Sequence, residues 1–141
     1  MALCFLVAYM KLIEPFFKSF IPAFTWWLVV LVLMCTPGRD LPDLGFWAEL
    51  INLDKIIHVT VFGLMAFLFM LPFTSKKNLE KRQLKQIFLK IAICTAIWGL
   101  TTEFIQDFFI PGRTFDLLDF VADAAGGLVA YFLAKKYFSN N

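Results

Sequence analysis

Four long apolar stretches constrain the fold of this chain more than any other feature. They lie at residues 20–36, 56–73, 86–109 and 117–133, and each is long enough to cross a bilayer, which takes about 17 to 25 residues. The chain has 141 residues, of which 60% are hydrophobic and 18 are Phe, so much apolar surface must face something other than water. The sequence therefore predicts an all-α protein, with residues 1–141 forming one domain built as a four-transmembrane-helix bundle.

The connections between these stretches carry their own patterns. Within residues 40–53, Leu44, Trp47 and Ile51 recur at spacings of three and four, the period of an amphipathic helix. Because Trp favours the membrane–water interface, we expect a short interfacial helix between the first and second spans. Residues 74–85 are polar and basic, which indicates a connection that could extend the third helix into water.

Lys and Arg are unevenly divided between the two sides of a four-span bundle. Only Arg39, Lys55 and Arg113 fall on one side. The other side carries both termini, the 74–85 connection and these basic residues: Lys11, Lys18, Lys76, Lys77, Lys81, Arg82, Lys85, Lys90, Lys135 and Lys136. The positive-inside rule therefore predicts that both termini are cytoplasmic. The net charge of +2 is too small to indicate nucleic acid as a partner, so the lipid bilayer is the predicted environment.

The carboxylates within the spans and the only histidine all lie toward the outer ends of spans two to four. Helical spacing groups them on single faces: Asp54 and His58; Glu103, Gln106 and Asp107; Asp116, Asp119 and Asp123. Exposing a carboxylate to lipid is costly. We therefore expect these faces to turn inward, toward one another.

The polar face of the fourth span continues from Asp123 into Gly126 and Gly127. Small residues let two helix backbones approach closely inside a membrane. We therefore expect another helix to pack tightly against this part of the fourth span.

Three interpretations of the polar faces remain open at this point. They could form a structural network that locks the helices, a site open to the outer surface, or a proton or cation pathway. In a site, His58, Glu103, Asp119 or Asp123 could act as the general base, and Arg113 could clamp a phosphate or carboxylate. A pathway is disfavoured because the acidic residues do not continue to the cytoplasmic side.

The pattern does not assign a cofactor. One His and several carboxylates could hold a divalent cation. The sequence has a single His, however, and a lone His is more often a hydrogen-bonded residue than a metal ligand. No cofactor is therefore evident from the sequence, and a divalent metal ion is the less favoured alternative.

Two segments carry a family resemblance, DKIIHVTVFGLMAF at 54–67 and TEFIQDFFIPGRTFDLLDFVADAAGG at 102–127. They resemble the VanZ-like family of membrane proteins, whose pattern is Asp-Lys-x-x-His, then Glu-x-x-Gln, an Arg in a turn, Asp, and Asn before Gly. The positions that match are Asp54, Lys55, His58, Glu103, Gln106, Arg113, Asp116 and Asp119. The resemblance covers roughly residues 20–135, and the order of the motifs makes it specific.

The resemblance implies a site that binds or modifies a cell-envelope lipid or glycan-type ligand, such as a cell-wall precursor. Asp54, Lys55, Gln106, Arg113 and Asp116 would bind that ligand in a bacterial cytoplasmic membrane. The family is named for a protein associated with resistance to the glycopeptide teicoplanin. Neither catalysis nor an oligomeric state follows from the resemblance, and a non-enzymatic accessory protein is the alternative.

Asp123 departs from the family pattern, which has Asn at that position. An ionised Asp cannot donate the hydrogen bond that an Asn amide donates. We expect Asp123 to be largely neutral, because Asp119 lies one helical turn away and two neighbouring negative charges repel each other.

Overall fold

A computed structural model of the chain describes residues 15–37, 53–76 and 79–138. Its helices are α1 (Ile21–Met34), α2 (Leu53–Thr74), α3 (Lys81–Phe109) and α4 (Leu117–Phe138). Within the described residues, α2, α3, α4 and the stretch Pro15–Met34 are each long and apolar enough to cross a membrane, which confirms the predicted four-helix architecture. The predicted interfacial helix at 40–53 falls almost entirely outside the described residues.

Local hydrogen bonds fix where α3 and α4 begin. The backbone N–H of Glu80 donates to Oε1 of Gln83 at 3.0 Å, and Oδ1 of Asp116 accepts from the backbone N–H of Leu118 at 2.8 Å. Both contacts satisfy polar groups at helix starts that have no partner within the helix. With 29 residues, α3 is about 43 Å long and exceeds the roughly 30 Å hydrocarbon core of a bilayer. A helix of this length must therefore tilt in the bilayer or extend beyond its apolar layer.

The tightest helix contact joins α2 to α4, which is also the most extensive helix pair of the bundle. A Cβ atom added at Gly126 would lie 2.4 Å from the carbonyl oxygen of Val59 and 2.8 Å from the backbone nitrogen of Gly63. No side chain fits at that distance, so the two backbones pack directly against each other. This confirms the close approach that Gly126 predicted.

The first helix packs more loosely than the others, with Ala23, Val30 and Met34 as its buried residues. Two polar contacts attach it to the bundle. Nε1 of Trp26 donates to the carbonyl of Val61 at 3.0 Å, and Nε2 of Gln106 donates to the carbonyl of Met34 at 3.0 Å. Because Met34 is the last residue of α1, its carbonyl has no N–H donor within the helix and accepts a hydrogen bond from Gln106 of α3 instead.

The two ends of the bundle differ in what they bury. At the end that carries the 75–80 connection, here termed the apolar end, the core consists of Ala66, Met70, Leu84, Phe88, Ala92, Ala130 and Ala134. At the end that carries the 110–116 connection, here termed the polar end, the buried ionisable side chains of the described residues are His58, Glu103, Asp119 and Asp123.

Candidate functional site

Seven ionisable side chains from α2, α3, α4 and the 110–116 connection meet at the polar end. They are Asp54, Lys55, His58, Glu103, Asp116, Asp119 and Asp123, here termed the polar cluster. All seven were predicted from the sequence as candidate site residues. Helical periodicity places each set on one face, and the close packing of α2 on α4 brings the faces together.

Lys55 holds the outer part of the cluster together. Its ammonium group contacts Oδ1 of Asp119, lies 2.7 Å from Oδ2 of Asp116 and lies 3.4 Å from Oδ2 of Asp54. The hydrogen bond from Lys55, together with the backbone N–H of Leu118, lowers the pKa of the Asp116 carboxyl below its ordinary value. Lys55 therefore neutralises carboxylates at the start of α4.

His58 lies between the outer and inner carboxylates. Its Nδ1 is 2.9 Å from Oδ1 of Asp123, while its Nε2 is 3.9 Å from Oδ2 of Asp119 and 4.0 Å from Oδ1 of Asp54. The ring of Phe62, one helical turn away, stacks on the imidazole with its centroid at 6.2 Å. Both ring nitrogens thus face carboxylates, which suits a group that accepts and passes on a proton.

Glu103 and Asp123 form the innermost part of the cluster, and both are fully buried. Oε2 of Glu103 accepts the backbone N–H of Asp116 at 2.9 Å. Oε1 of Glu103 and Oδ2 of Asp123 have no hydrogen-bond partner among the described residues. Gly99 makes room for Asp123, because a Cβ atom there would lie 2.7 Å from Oδ2. Gly99 lies on the same face of α3 as Glu103, because the two residues are one helical turn apart.

Burial increases along the cluster from the surface inward. The side chain of Asp54 is 57% exposed, that of Asp116 43% and that of Lys55 26%, whereas Asp119, His58 and Asp123 are exposed by 8%, 3% and 0%. Charged groups therefore lead from the surface of the polar end to its most buried carboxylates.

Two predicted site residues lie apart from this set of contacts. Gln106 bonds to Met34 of α1 and so acts as a helix-to-helix contact. Arg113, in the 110–116 connection, is partly buried, and its Nε has no hydrogen-bond partner in the described part of the chain. The expectation that Asp123 is neutral considered only its repulsion by Asp119. In the structure His58 also contacts Asp123 directly.

Two grooves on the bundle have apolar walls and contain no member of the polar cluster. One, of about 440 Å³, lies between α1, α2 and α3 and is lined by residues such as Trp27, Met65 and Trp98. The other, of about 360 Å³, lies between α2 and α4 beside Gly63 and Val129. Both suit contact with lipid chains, whereas polar chemistry is concentrated in the cluster.

Comparison with known proteins gives a family match over nearly the whole chain. The family model described as VanZ/LLP1 matches residues 2–138. An uncharacterized protein of Schizosaccharomyces pombe is 39% identical over 84 residues, which cover 60% of this chain and 48% of the relative. The match thus spans about half the length of that relative. No solved structure matches the chain.

Proposed function

Because this chain belongs to the VanZ/LLP1 family of membrane proteins, we propose that its polar cluster is a site that binds or modifies the head group of a cell-envelope lipid or a glycan-type ligand. The ligand would enter from the polar end, where Asp54, Asp116 and Lys55 are partly exposed. The buried residues behind them would hold it or carry out proton transfer. The lipid bilayer supplies ligands of this kind next to the cluster.

The observation that carries the proposal is a pair of buried oxygens, on Glu103 and Asp123, that have no hydrogen-bond partner in the described part of the chain. A network that serves only to lock helices is most stable when every buried polar atom has a partner, and unsatisfied buried groups cost free energy. Ionisable groups inside a membrane bundle commonly mark functional sites for the same reason. Oxygens without partners are the atoms that a ligand would meet.

The arrangement allows separate roles within the cluster. His58, with carboxylates facing both ring nitrogens, is suited to act as a general base, and Asp123 orients its ring. Arg113 would bind an anionic group of the ligand, because its guanidinium is a planar donor suited to phosphate or carboxylate and its Nε has no partner among the described residues.

If the relative from Schizosaccharomyces pombe binds the same kind of ligand as this chain, a lipid head group is a better proposal than a cell-wall precursor. A fungal membrane offers phospholipids and glycolipids but no bacterial peptidoglycan. A role in glycopeptide resistance would require the second kind of ligand. A bacterial cytoplasmic membrane is proposed from the VanZ-like resemblance alone.

The proposed orientation places the polar end outside and both termini in the cytoplasm, on the basis of the Lys and Arg distribution. Single Cys substitutions at Arg113 and Arg82, in a chain whose Cys4, Cys35 and Cys94 are replaced by Ala, test this orientation in intact cells. A membrane-impermeant maleimide should label position 113 and leave position 82 unlabelled until the cells are opened. The reverse labelling would invert the orientation and place the cluster on the cytoplasmic side.

Lipidomics of cells that lack or express the protein tests the function. We expect the wild type to change the amount of at least one envelope lipid, and Glu103→Gln to abolish the change. Asp107→Asn is the matched control, because Asp107 lies one turn further along α3 and is exposed. An unaltered lipid profile in cells expressing the wild type contradicts a lipid-modifying activity.

The second candidate function is a non-enzymatic accessory protein whose polar cluster only joins the helices. The ion pairs of Lys55 with Asp116 and Asp119, which link α2 to α4, favour it. Thermal stability in detergent separates the two functions. If Glu103→Gln loses stability in proportion to its loss of effect in cells, the accessory function is supported; loss of effect at unchanged stability supports a site.

A further inference from the structure

Three buried side chains on three different helices converge within the polar cluster. His58 of α2, Glu103 of α3 and Asp123 of α4 each offer a ligand atom, and these atoms all lie within 4.8 Å of one another. All three residues are almost completely buried, so water has little access to them. The polypeptide thus brings one nitrogen and two carboxylate donors to a single buried point.

The charges around this point are unbalanced among the described residues. Lys55 contacts Asp119 and Asp116, so the outer carboxylates have a cationic partner. Among the described residues, His58 is the one basic side chain grouped with Glu103 and Asp123, and each of these carboxyls keeps one oxygen without a hydrogen-bond partner. Two buried carboxylates beside one imidazole need additional positive charge, which protons or a divalent cation can supply.

We propose that His58, Glu103 and Asp123 bind a divalent transition-metal ion of the Mn²⁺, Fe²⁺ and Zn²⁺ class. Two carboxylates and a neutral imidazole would then balance the charge of the ion, and the unpartnered oxygens would become its ligands. The inference concerns the same cluster as the proposed lipid or glycan site but stands without it, because metal binding needs no knowledge of the ligand.

The donor types fit this class of ion. Ligands at about 2.1 Å from a tetrahedral zinc ion lie roughly 3.4 Å apart, so ligand atoms that lie within 4.8 Å of one another would have to close in by up to about 1.4 Å. Imidazole favours Zn²⁺ and Fe²⁺, and carboxylates favour Mn²⁺. Ca²⁺ takes about six to eight oxygen ligands, which three buried side chains do not supply.

The surroundings of His58 fit a metal ligand as well. Its Nδ1 faces Asp123, while its Nε2 lies 3.9 Å from Oδ2 of Asp119. A metal-bound His commonly donates its other N–H to a carboxylate, and Asp119 would fill this role once it moved into hydrogen-bond range of Nε2. Three protein ligands leave at least one coordination position for water or a ligand, which is typical of catalytic rather than structural zinc sites.

Equilibrium dialysis and electron paramagnetic resonance with Mn²⁺ test the site directly. The full chain is purified in detergent, freed of metal with a chelator and titrated with Mn²⁺. We expect one equivalent to bind, with a ¹⁴N coupling from His58 in the pulsed spectrum and competition by Zn²⁺ but not by Ca²⁺. Mn²⁺ is the probe because it binds cysteine thiolates weakly, and Cys35 and Cys94 are free.

Glu103→Gln and Asp123→Asn should each weaken Mn²⁺ binding by more than the roughly 10-fold typical for loss of an outer-shell partner. Asp107→Asn should bind as the wild type does. Circular dichroism and gel filtration establish that each variant is folded. The wild-type titration decides the matter even if a variant does not fold.

A folded wild type that binds no stoichiometric Mn²⁺ or Zn²⁺ overturns the inference, as does Mn²⁺ bound without a nitrogen coupling. The outcomes for the two proposals are distinguishable. Metal binding without any lipid change rejects the lipid-modifying activity and keeps the metal site, whereas a lipid change without metal binding does the opposite.

Discussion

Gly126→Ala is expected to destabilise the bundle, because the added methyl group would meet backbone atoms that no rotamer change can move. The new Cβ would lie 2.4 Å from the carbonyl oxygen of Val59 and 2.8 Å from the backbone nitrogen of Gly63. A carbon–oxygen contact is normally about 3.3 to 3.6 Å long, so α2 and α4 must separate locally by roughly 1 Å.

The size of the effect follows from two opposing contributions. Overpacking typically costs about 1 to 3 kcal/mol, and the upper end applies here because both clashing atoms are backbone. Ala is a better helix former than Gly by about 1 kcal/mol, which offsets part of the cost. We therefore expect the free energy of unfolding to fall by about 2 kcal/mol.

Gly127→Ala is the matched control for this substitution. It brings the same helix-propensity gain, but the nearest atom to its Cβ would be the carbonyl oxygen of Ala92, at 3.2 Å. The free energy of unfolding, measured by SDS titration of the protein in mixed micelles, should be close to that of the wild type. Equal stability of Gly126→Ala and the wild type would falsify the direct backbone contact between α2 and α4.

Three further substitutions test the polar contacts. Lys55→Gln should lower the free energy of unfolding by about 3 kcal/mol in the same titration, because it leaves buried Asp119 without its cationic partner; an unchanged value would show that this ion pair is dispensable. The lowered pKa of Asp116 should stabilise the fold at pH values above the ordinary carboxyl pKa of about 3.9. This stabilisation should be lost as the pH falls through the lower pKa that Asp116 has in the folded state. Asp116→Asn should therefore reduce the loss of thermal stability in detergent below about pH 4, and an identical pH profile would contradict this coupling. Gln106→Leu should lower the free energy of unfolding by about 1 to 3 kcal/mol in the same titration, because it removes the hydrogen bond to the carbonyl of Met34; an unchanged value would refute the attachment of α1 through this bond.

Most features of the fold that could be predicted from the sequence follow from hydropathy and from the helical period of the side chains. The four apolar stretches predict the four helices, because a bilayer demands long segments whose backbone hydrogen bonds are satisfied internally. The spacing of Asp119 and Asp123 predicts that they share a face, and Gly126 with Gly127 predicts a close contact with another helix. These properties belong to single helices, so one sequence segment contains enough information to predict them.

The partners across helices could not be predicted in the same way. Gln106 has the same spacing to Glu103 as any i, i+3 pair, yet it turns to the end of α1. Lys55 lies on α2 about one turn before His58, and its long side chain lets the ammonium group reach Asp116 and Asp119 at the start of α4. Such contacts depend on how each helix is rotated and tilted against its neighbours, and periodicity within one helix does not determine that rotation.

The apolar end of the bundle is a region of low polarity that disfavours ions. Beyond Asp123, toward the 75–80 connection, the core consists of side chains such as Met70, Phe88 and Ala134, and in such a medium an isolated ion is strongly disfavoured. The apolar core residues offer an ion no polar partner. The buried ionisable groups of the described helices are therefore held at one end of the bundle, and a layer of low polarity separates them from the other end.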